Sequence, residues 1–178
     1  GGGLRGTGAK SVGGQAASRA REGWGGCLRF APDLLGGEFI RSHAGGTPAF
    51  KGRYGLPGSL CASINSEIVH GIPSKKRVLR NGDIISIDFG AIVDGYCSDM
   101  TRTVCVGEPS PELQKMVEVV AASQRAGVAA VTAGASAAAV DRVCRDVLAD
   151  VGWGDAFMPS TGHGVGLEDL VLRGDRPV

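Results

Sequence analysis

The chain has 178 residues, a formal net charge of +1, 43% hydrophobic residues and 21% charged residues. That length allows one domain with its own core, and the composition is that of a globular chain. So balanced a charge gives no electrostatic pull toward nucleic acid or an anionic membrane. The longest uncharged run, Ala126 to Val140, is interrupted by Thr132, Gly134 and Ser136 and is too short to span a bilayer.

The first residue is Gly1 rather than Met, so the chain is either processed or a piece of a longer reading frame. No basic segment followed by an apolar one opens it, which argues against a secretory signal. Residues 1 to 37 hold 12 of the 30 glycines with no period of a helix or strand. This stretch reads as disordered or foreign sequence. Its Arg and Ser content is weakly transit-peptide-like, but the glycine density opposes an amphipathic helix. Ordinary composition begins near Leu35 to Phe39. The five cysteines, Cys27, Cys61, Cys97, Cys105 and Cys144, show no CxxC spacing, and reduced thiols in a cytoplasmic protein are the simplest reading.

Ile84 to Val93 is an apolar, β-branched run, followed by Asp94-Gly95 and then Tyr96 to Val106. Asp-Gly between two such runs signals a hairpin, because a type I′ turn needs positive φ at both central positions. Ser110-Pro111-Glu112 opens a helix with a capping serine, a proline at its first position and an early acid. This helix is predicted to run to about Thr132 and stop at Gly134. A second covers about Ala137 to Val151, with Val140, Val143, Cys144, Val147, Leu148 and Val151 at helical spacing and Gly152 ending it. Hairpin, two helices and further strand-like sequence indicate an α+β domain.

The hairpin register brings out the first chemistry. With Asp94 and Gly95 as the loop, Val93 faces Tyr96, Gly90 faces Asp99 and Asp88 faces Thr101. Side chains alternate with period two, so Asp88 and Asp99 project from one face as diagonal neighbours roughly 7–8 Å apart. Gly90 would leave space between them. Ile85, Ile87, Phe89, Ala91 and Val93 form an apolar wall on the other face. Two such acids face solvent, or Asp99 pairs with Arg102, or a divalent metal pair offsets their repulsion. His163, set between glycines in Thr161-Gly-His-Gly-Val-Gly166, supplies an imidazole that suits zinc, iron, cobalt or manganese. A nucleotide loop is a poor alternative there, since no acid follows about 20 residues later in a strand, loop and helix order.

These residues resemble a known family. Cys61-Ala-Ser-Ile-Asn65 leading into Val69-His70-Gly71-Ile72-Pro73-Ser74 looks like the signature of type I methionine aminopeptidases. Asn81 to Asp88 and Gly95 to Thr103 look like the metal-binding hairpin of the wider pita-bread metallopeptidases, and Thr161 to Gly166 like that superfamily's next ligand segment. The likeness covers about Glu38 to Leu167, with 18 residues from His70 to Asp88, 11 from Asp88 to Asp99 and 64 from Asp99 to His163.

The resemblance implies a pita-bread fold over 38–178 and an aminopeptidase that removes the N-terminal methionine of nascent proteins. Water activated by two divalent metal ions (cobalt, manganese, iron or zinc) would do the chemistry. Asp88 would chelate one metal and bridge to the other, Asp99 would bridge both, and His163 would bind one. His70 would stand at the substrate and help bind or stabilise the reacting amide, and Cys61 would line the methionine pocket. The resemblance further implies a cytoplasmic monomer, associated with the ribosome through its substrates, with no direct nucleic-acid or membrane binding.

Departures accompany the likeness. The family's two further glutamate ligands and a second substrate-side histidine have no counterpart in Leu167 to Val178, where Leu170 and Val171 stand at the expected histidine and first glutamate, and Glu168 is not a ligand position. The fold is therefore expected to be incomplete at the C-terminus, and this chain to bind metal weakly and turn over slowly. Arg53 and Leu56 occupy places where pocket aromatics are usual. Asp88-Phe-Gly-Ala and Ser98 to Thr103 look closer to proline-directed aminopeptidases or dipeptidases of the same superfamily, which is the alternative activity. A non-catalytic pita-bread binding module is the third reading.

Overall fold

The computed structural model describes residues 31–43 and 45–168. Most of the glycine-rich segment, up to residue 30, and the departures at Leu170 and Val171 lie outside the described residues. The chain divides into a sheet unit, running to Ser110 with a return from Val165, and a helical unit from Pro111 to Gly164.

The sheet unit opens with helix α1, Ala31–His43. The boundary expected at residues 37 and 38 falls inside this helix. Glycine costs roughly 1 kcal/mol in a helix interior relative to alanine, yet Gly36 and Gly37 are there for contact. A Cβ at Gly36 would lie 3.1 Å from Leu60 Cδ2, and one at Gly37 would lie 2.6 Å from Ser59 Oγ. The bare face lets α1 lie close on the chain entering the sheet. Asp33, in the first turn, is buried and accepts the backbone N–H groups of Ser59 and Leu60. Those donors would otherwise be left without partners away from water, a costly state.

The sheet has four antiparallel strands: β1 Thr47–Pro48, β2 Leu60–Ile64, β3 Ile84–Val93 and β4 Tyr96–Cys105. β3 is central. β2 pairs with it along Ile85 to Phe89, β1 along Ala91 and Ile92, and β4 along its whole length. The β3–β4 register is the one expected, with Val93 opposite Tyr96, Gly90 opposite Asp99 and Asp88 opposite Thr101. Asp94 and Gly95 have φ of 51° and 82°, as the two-residue turn demands. Leu60, Ala62 and Ile64 of β2 and Ile85, Ile87 and Phe89 of β3 are buried on one face with Leu79 and Val106, and Phe39 of α1 packs against them. Burying a large aliphatic or aromatic side chain contributes about 1.5–3 kcal/mol, so this face fixes the register. A slip of one residue would put the isoleucines on the polar face.

The helical unit holds α2, Pro111–Ala130, and α3, Ala137–Ala149. α2 ends two residues short of Thr132, and Gly134 follows with φ of 86°. Ser136 caps α3, its Oγ accepting the N–H of Ala139 at 3.1 Å. Cys144 and Leu148 are buried, whereas Val143 and Val151 are partly open. Ser123 Oγ donates to the Cys144 carbonyl at 2.8 Å, and a Cβ on Gly127 would run into Cys144 Sγ. Among the described residues no helix is long and apolar enough to cross a membrane.

The Gly127 contact yields a prediction. Gly127→Ala alone gains about 1 kcal/mol of helix propensity but overpacks the α2–α3 contact, which typically costs 1–3 kcal/mol. It should be neutral to destabilising. In a Cys144→Ala background, with the sulfur gone, the same substitution should stabilise by about 1 kcal/mol. Denaturant unfolding of the four proteins checks this change of sign.

Candidate active site

The face of the sheet opposite the core is polar. Alternation along β3 and β4 puts Ser86, Asp88 and Gly90 with Asp99, Thr101 and Thr103 on this face, and β2 adds Cys61 directly opposite Asp88. Asp99 is close enough to Asp88 for the two carboxyl groups to hydrogen-bond and for Asp99 to raise the protonation of Asp88. Burial, first, and the neighbouring charge of Asp99, second, push the Asp88 carboxyl up to about 6. Thr101 works against this, its Oγ1 donating to Asp88 Oδ1 at 2.9 Å, and the positive charge of His70 also lowers the value. Burial and the negative charges of Asp88 and Asp99 push the Cys61 thiol up to about 11. Cys61 is fully enclosed and therefore behaves as a small, soft, neutral surface rather than a nucleophile.

Three of the residues singled out from the sequence, Cys61, Asp88 and Asp99, thus stand on one face of the sheet, and His70 is near enough for its charge to act on Asp88. The expectation of open space at Gly90 is corrected. A Cβ there would meet Ala49 Cβ at 3.0 Å, Phe50 Cε1 at 3.1 Å and the Ser98 carbonyl oxygen. The chain leaving β1 fills that position, its Ala49 N–H donating to the Gly90 carbonyl at 2.9 Å. Glycine is needed there so that Ala49 and Phe50 can lie against the strand. The Arg102 guanidinium donates to the Thr101 carbonyl at 2.7 Å.

His163 belongs to the helical unit, where it is exposed and its Nδ1 lies 3.0 Å from the Gly164 carbonyl oxygen. The approach to it is held by a network the sequence reading missed. Asp141 accepts from Arg145 Nε at 2.7 Å, from the Thr161 N–H at 3.2 Å and from Thr161 Oγ1 at 2.5 Å. Arg145 also donates to the carbonyls of Phe157 and Pro159 at 2.8 and 2.9 Å, and stacks 4.9 Å from the Phe157 ring centre. The i,i+4 spacing of Asp141 and Arg145 was the available signal. Beyond His163, the Gly166 carbonyl accepts the Cys97 N–H of β4 at 2.7 Å. Among the described residues no three His, Cys, Asp or Glu side chains are grouped to hold a metal ion.

The Asp88 environment sets a pH dependence. A carboxyl raised from 3.8 to about 6 on folding binds its proton more tightly folded than unfolded. Between those values the folded state carries more protons, so stability falls as pH rises. The metal-free protein should lose stability from about pH 4 to about pH 6 and be level above that. Asp88→Asn should remove most of this slope. Thermal melts across pH 4–7 check it, and equal slopes in both proteins would refute the assignment.

Residues 33–171 match Metallopeptidase family M24. The chain is 41% identical over 136 residues to methionine aminopeptidases of Clostridium acetobutylicum and of Borreliella burgdorferi, matching 76% of this chain and 54% and 53% of theirs. It is also 42% identical over 103 residues to the Xaa-Pro dipeptidase of Pyrococcus furiosus, matching 58% of this chain and 29% of that one. The chain therefore spans about half the length, or less, of these relatives. Among solved structures, methionine aminopeptidase from Rickettsia prowazekii superposes with a TM-score of 0.80 at 26% identity, over 96% of this chain and 64% of that one. A dipeptidase from Pyrococcus horikoshii gives 0.81 at 30% identity, over 96% and 46%. With its carboxylate hairpin and mixed helix and antiparallel-sheet architecture, this chain belongs to metallopeptidase family M24 and has the pita-bread fold.

Proposed function

We propose that this chain carries the substrate-side face and the first metal ligands of an aminopeptidase that removes the N-terminal methionine from nascent polypeptides. The observation that carries this reading is the Asp88–Asp99 pair on one half-buried face, with Cys61 opposite Asp88. Membership of a metallopeptidase family implies a divalent metal cofactor, and the donor chemistry fits one. A carboxyl group whose protonation is raised by burial and by a second carboxyl beside it is one that a divalent cation stabilises as an anion. Asp88 and Asp99 would hold two such ions, with His163 as a nitrogen donor. When bound, they supply Lewis acidity, polarising the scissile carbonyl and lowering the pKa of water.

The chain's own residues do the rest. Thr101 orients Asp88 through its hydroxyl. Cys61 would line the pocket for the side chain of the first residue, as the family resemblance implies, and its neutral sulfur suits a thioether neighbour. His70 would bind or stabilise the reacting amide, the role the family resemblance implies. The substrates are free N-termini of peptides, encountered at the ribosome by a cytoplasmic monomer.

A second reading, cleavage of Xaa-Pro bonds, is supported by the likeness to Xaa-Pro dipeptidases and by Asp88-Phe-Gly-Ala. The Cys61 to Pro73 signature favours methionine. A binding module without chemistry would have little use for two acids held against each other on a desolvated face.

Purified protein given saturating divalent metal should release methionine, slowly, from peptides whose second residue is small, and should lose this on chelation. Asp88→Asn or Asp99→Asn should lower kcat/KM by at least about 10²-fold, since several kcal/mol of charge stabilisation go with the cation. Preference for Xaa-Pro peptides would replace the methionine reading. Metal-independent turnover would overturn both.

A further inference from the structure

Ser63 is a buried hydroxyl on β2, two residues from Cys61 and on the same face of the strand, and the chemistry above gives it no part. Its contacts are unusual in their placement. Ser63 Oγ donates to the Val69 carbonyl at 2.7 Å and accepts the Gly71 N–H at 3.0 Å. One side chain therefore grips the backbone on both sides of His70.

Three further features converge on the same arch. Gly71 lies flat on β2, where an added Cβ would stand 2.8 Å from both the Ala62 carbonyl carbon and Ser63 Cα. Its carbonyl accepts the Ala62 N–H at 2.7 Å. Val69 has a φ of 55°, a left-handed conformation that a β-branched residue adopts only where its surroundings impose it. The His70 N–H closes the arch on the Ile68 carbonyl at 3.0 Å. His70 itself is exposed, and its charge acts on Asp88.

We propose that Ser63 is a positioning residue for His70. Its hydroxyl clips the strained Val69–Gly71 arch to the strand that carries Cys61, and so fixes the imidazole relative to the carboxylate pair. Strain of this kind concentrates at functional sites. A hydroxyl is suited to the task because it can donate to a carbonyl and accept from an N–H at once. The inference rests on the reading of His70 as a substrate-side residue.

A double-mutant cycle tests it. Ser63→Ala should lower kcat/KM on a methionyl peptide by about 10- to 100-fold, the range in which misplacement of a positioned group is felt. In a His70→Ala background the same substitution should change it by less than about two-fold, because the group being positioned is gone. Ser63→Thr, which keeps the hydroxyl, should restore most of the rate. Equal losses in both backgrounds would mean a merely structural role and overturn the proposal. A His70→Ala variant with unimpaired turnover would instead sink the reading of His70. NMR then decides on the clip alone, whether or not the preparation turns over peptide. In Ser63→Ala the His70 ring resonance should move toward its unfolded-chain position and Gly71 amide exchange should quicken about ten-fold or more. Unchanged resonance and exchange would overturn the clip.

Discussion

Asp88 and Asp99 are two like charges on one partly buried face of a hairpin, and the sheet unit is organised around tolerating them. Their backbone positions follow from a two-residue turn at Asp94-Gly95 whose geometry admits one register. The apolar side of the same strands locks that register, because Ile85, Ile87 and Phe89 cannot change faces without exposing the core. The proximity of the acids is thus enforced by hydrophobic burial elsewhere. What remains is an unpaid electrostatic cost, seen in the raised protonation of Asp88. A divalent cation is the simplest agent that removes it, which links the fold to metallopeptidase chemistry.

The surrounding residues share a second theme, the holding of short backbone segments by single polar side chains. Asp33 gathers two N–H groups at the entry to β2. Ser63 grips the backbone on both sides of His70. In the helical unit, Asp141 and Arg145 hold the segment from Phe157 to Thr161. The ties at Ser63 and at Asp141 place loops that are largely exposed. Such loops open at low free-energy cost unless tied, and functional side chains carried on them gain their precision from the tie.

The sequence revealed the hairpin with unusual clarity, because Asp-Gly between apolar runs leaves little choice of turn and alternation then assigns both faces. Pro111 after Ser110, Gly134 and Gly152 marked helix ends for equally local reasons. What stayed hidden was anything set by contact across the chain. Gly36 and Gly37 read as flexible sequence, and only their approach to Ser59 and Leu60 shows them as packing residues. Gly90 read as a gap, yet Phe50 and Ala49, some 40 residues earlier, occupy it. Ser63 carried no signal, since its partners Val69 and Gly71 meet it only through the path of a loop. Thr101 could have been found, because the register already placed it opposite Asp88.

The central claim is that folding brings Asp88 into a site whose protonation is raised by burial and by Asp99, and that a divalent cation displaces that proton. Carboxyl ¹³C NMR of the metal-free protein, titrated with acid and then repeated with saturating zinc, measures this directly. The account predicts that Asp88 titrates near pH 6 without zinc and that zinc abolishes the titration between pH 5 and pH 7, because bound cation holds the carboxylate ionised. An Asp88 that titrates near pH 4 and is indifferent to zinc would contradict it.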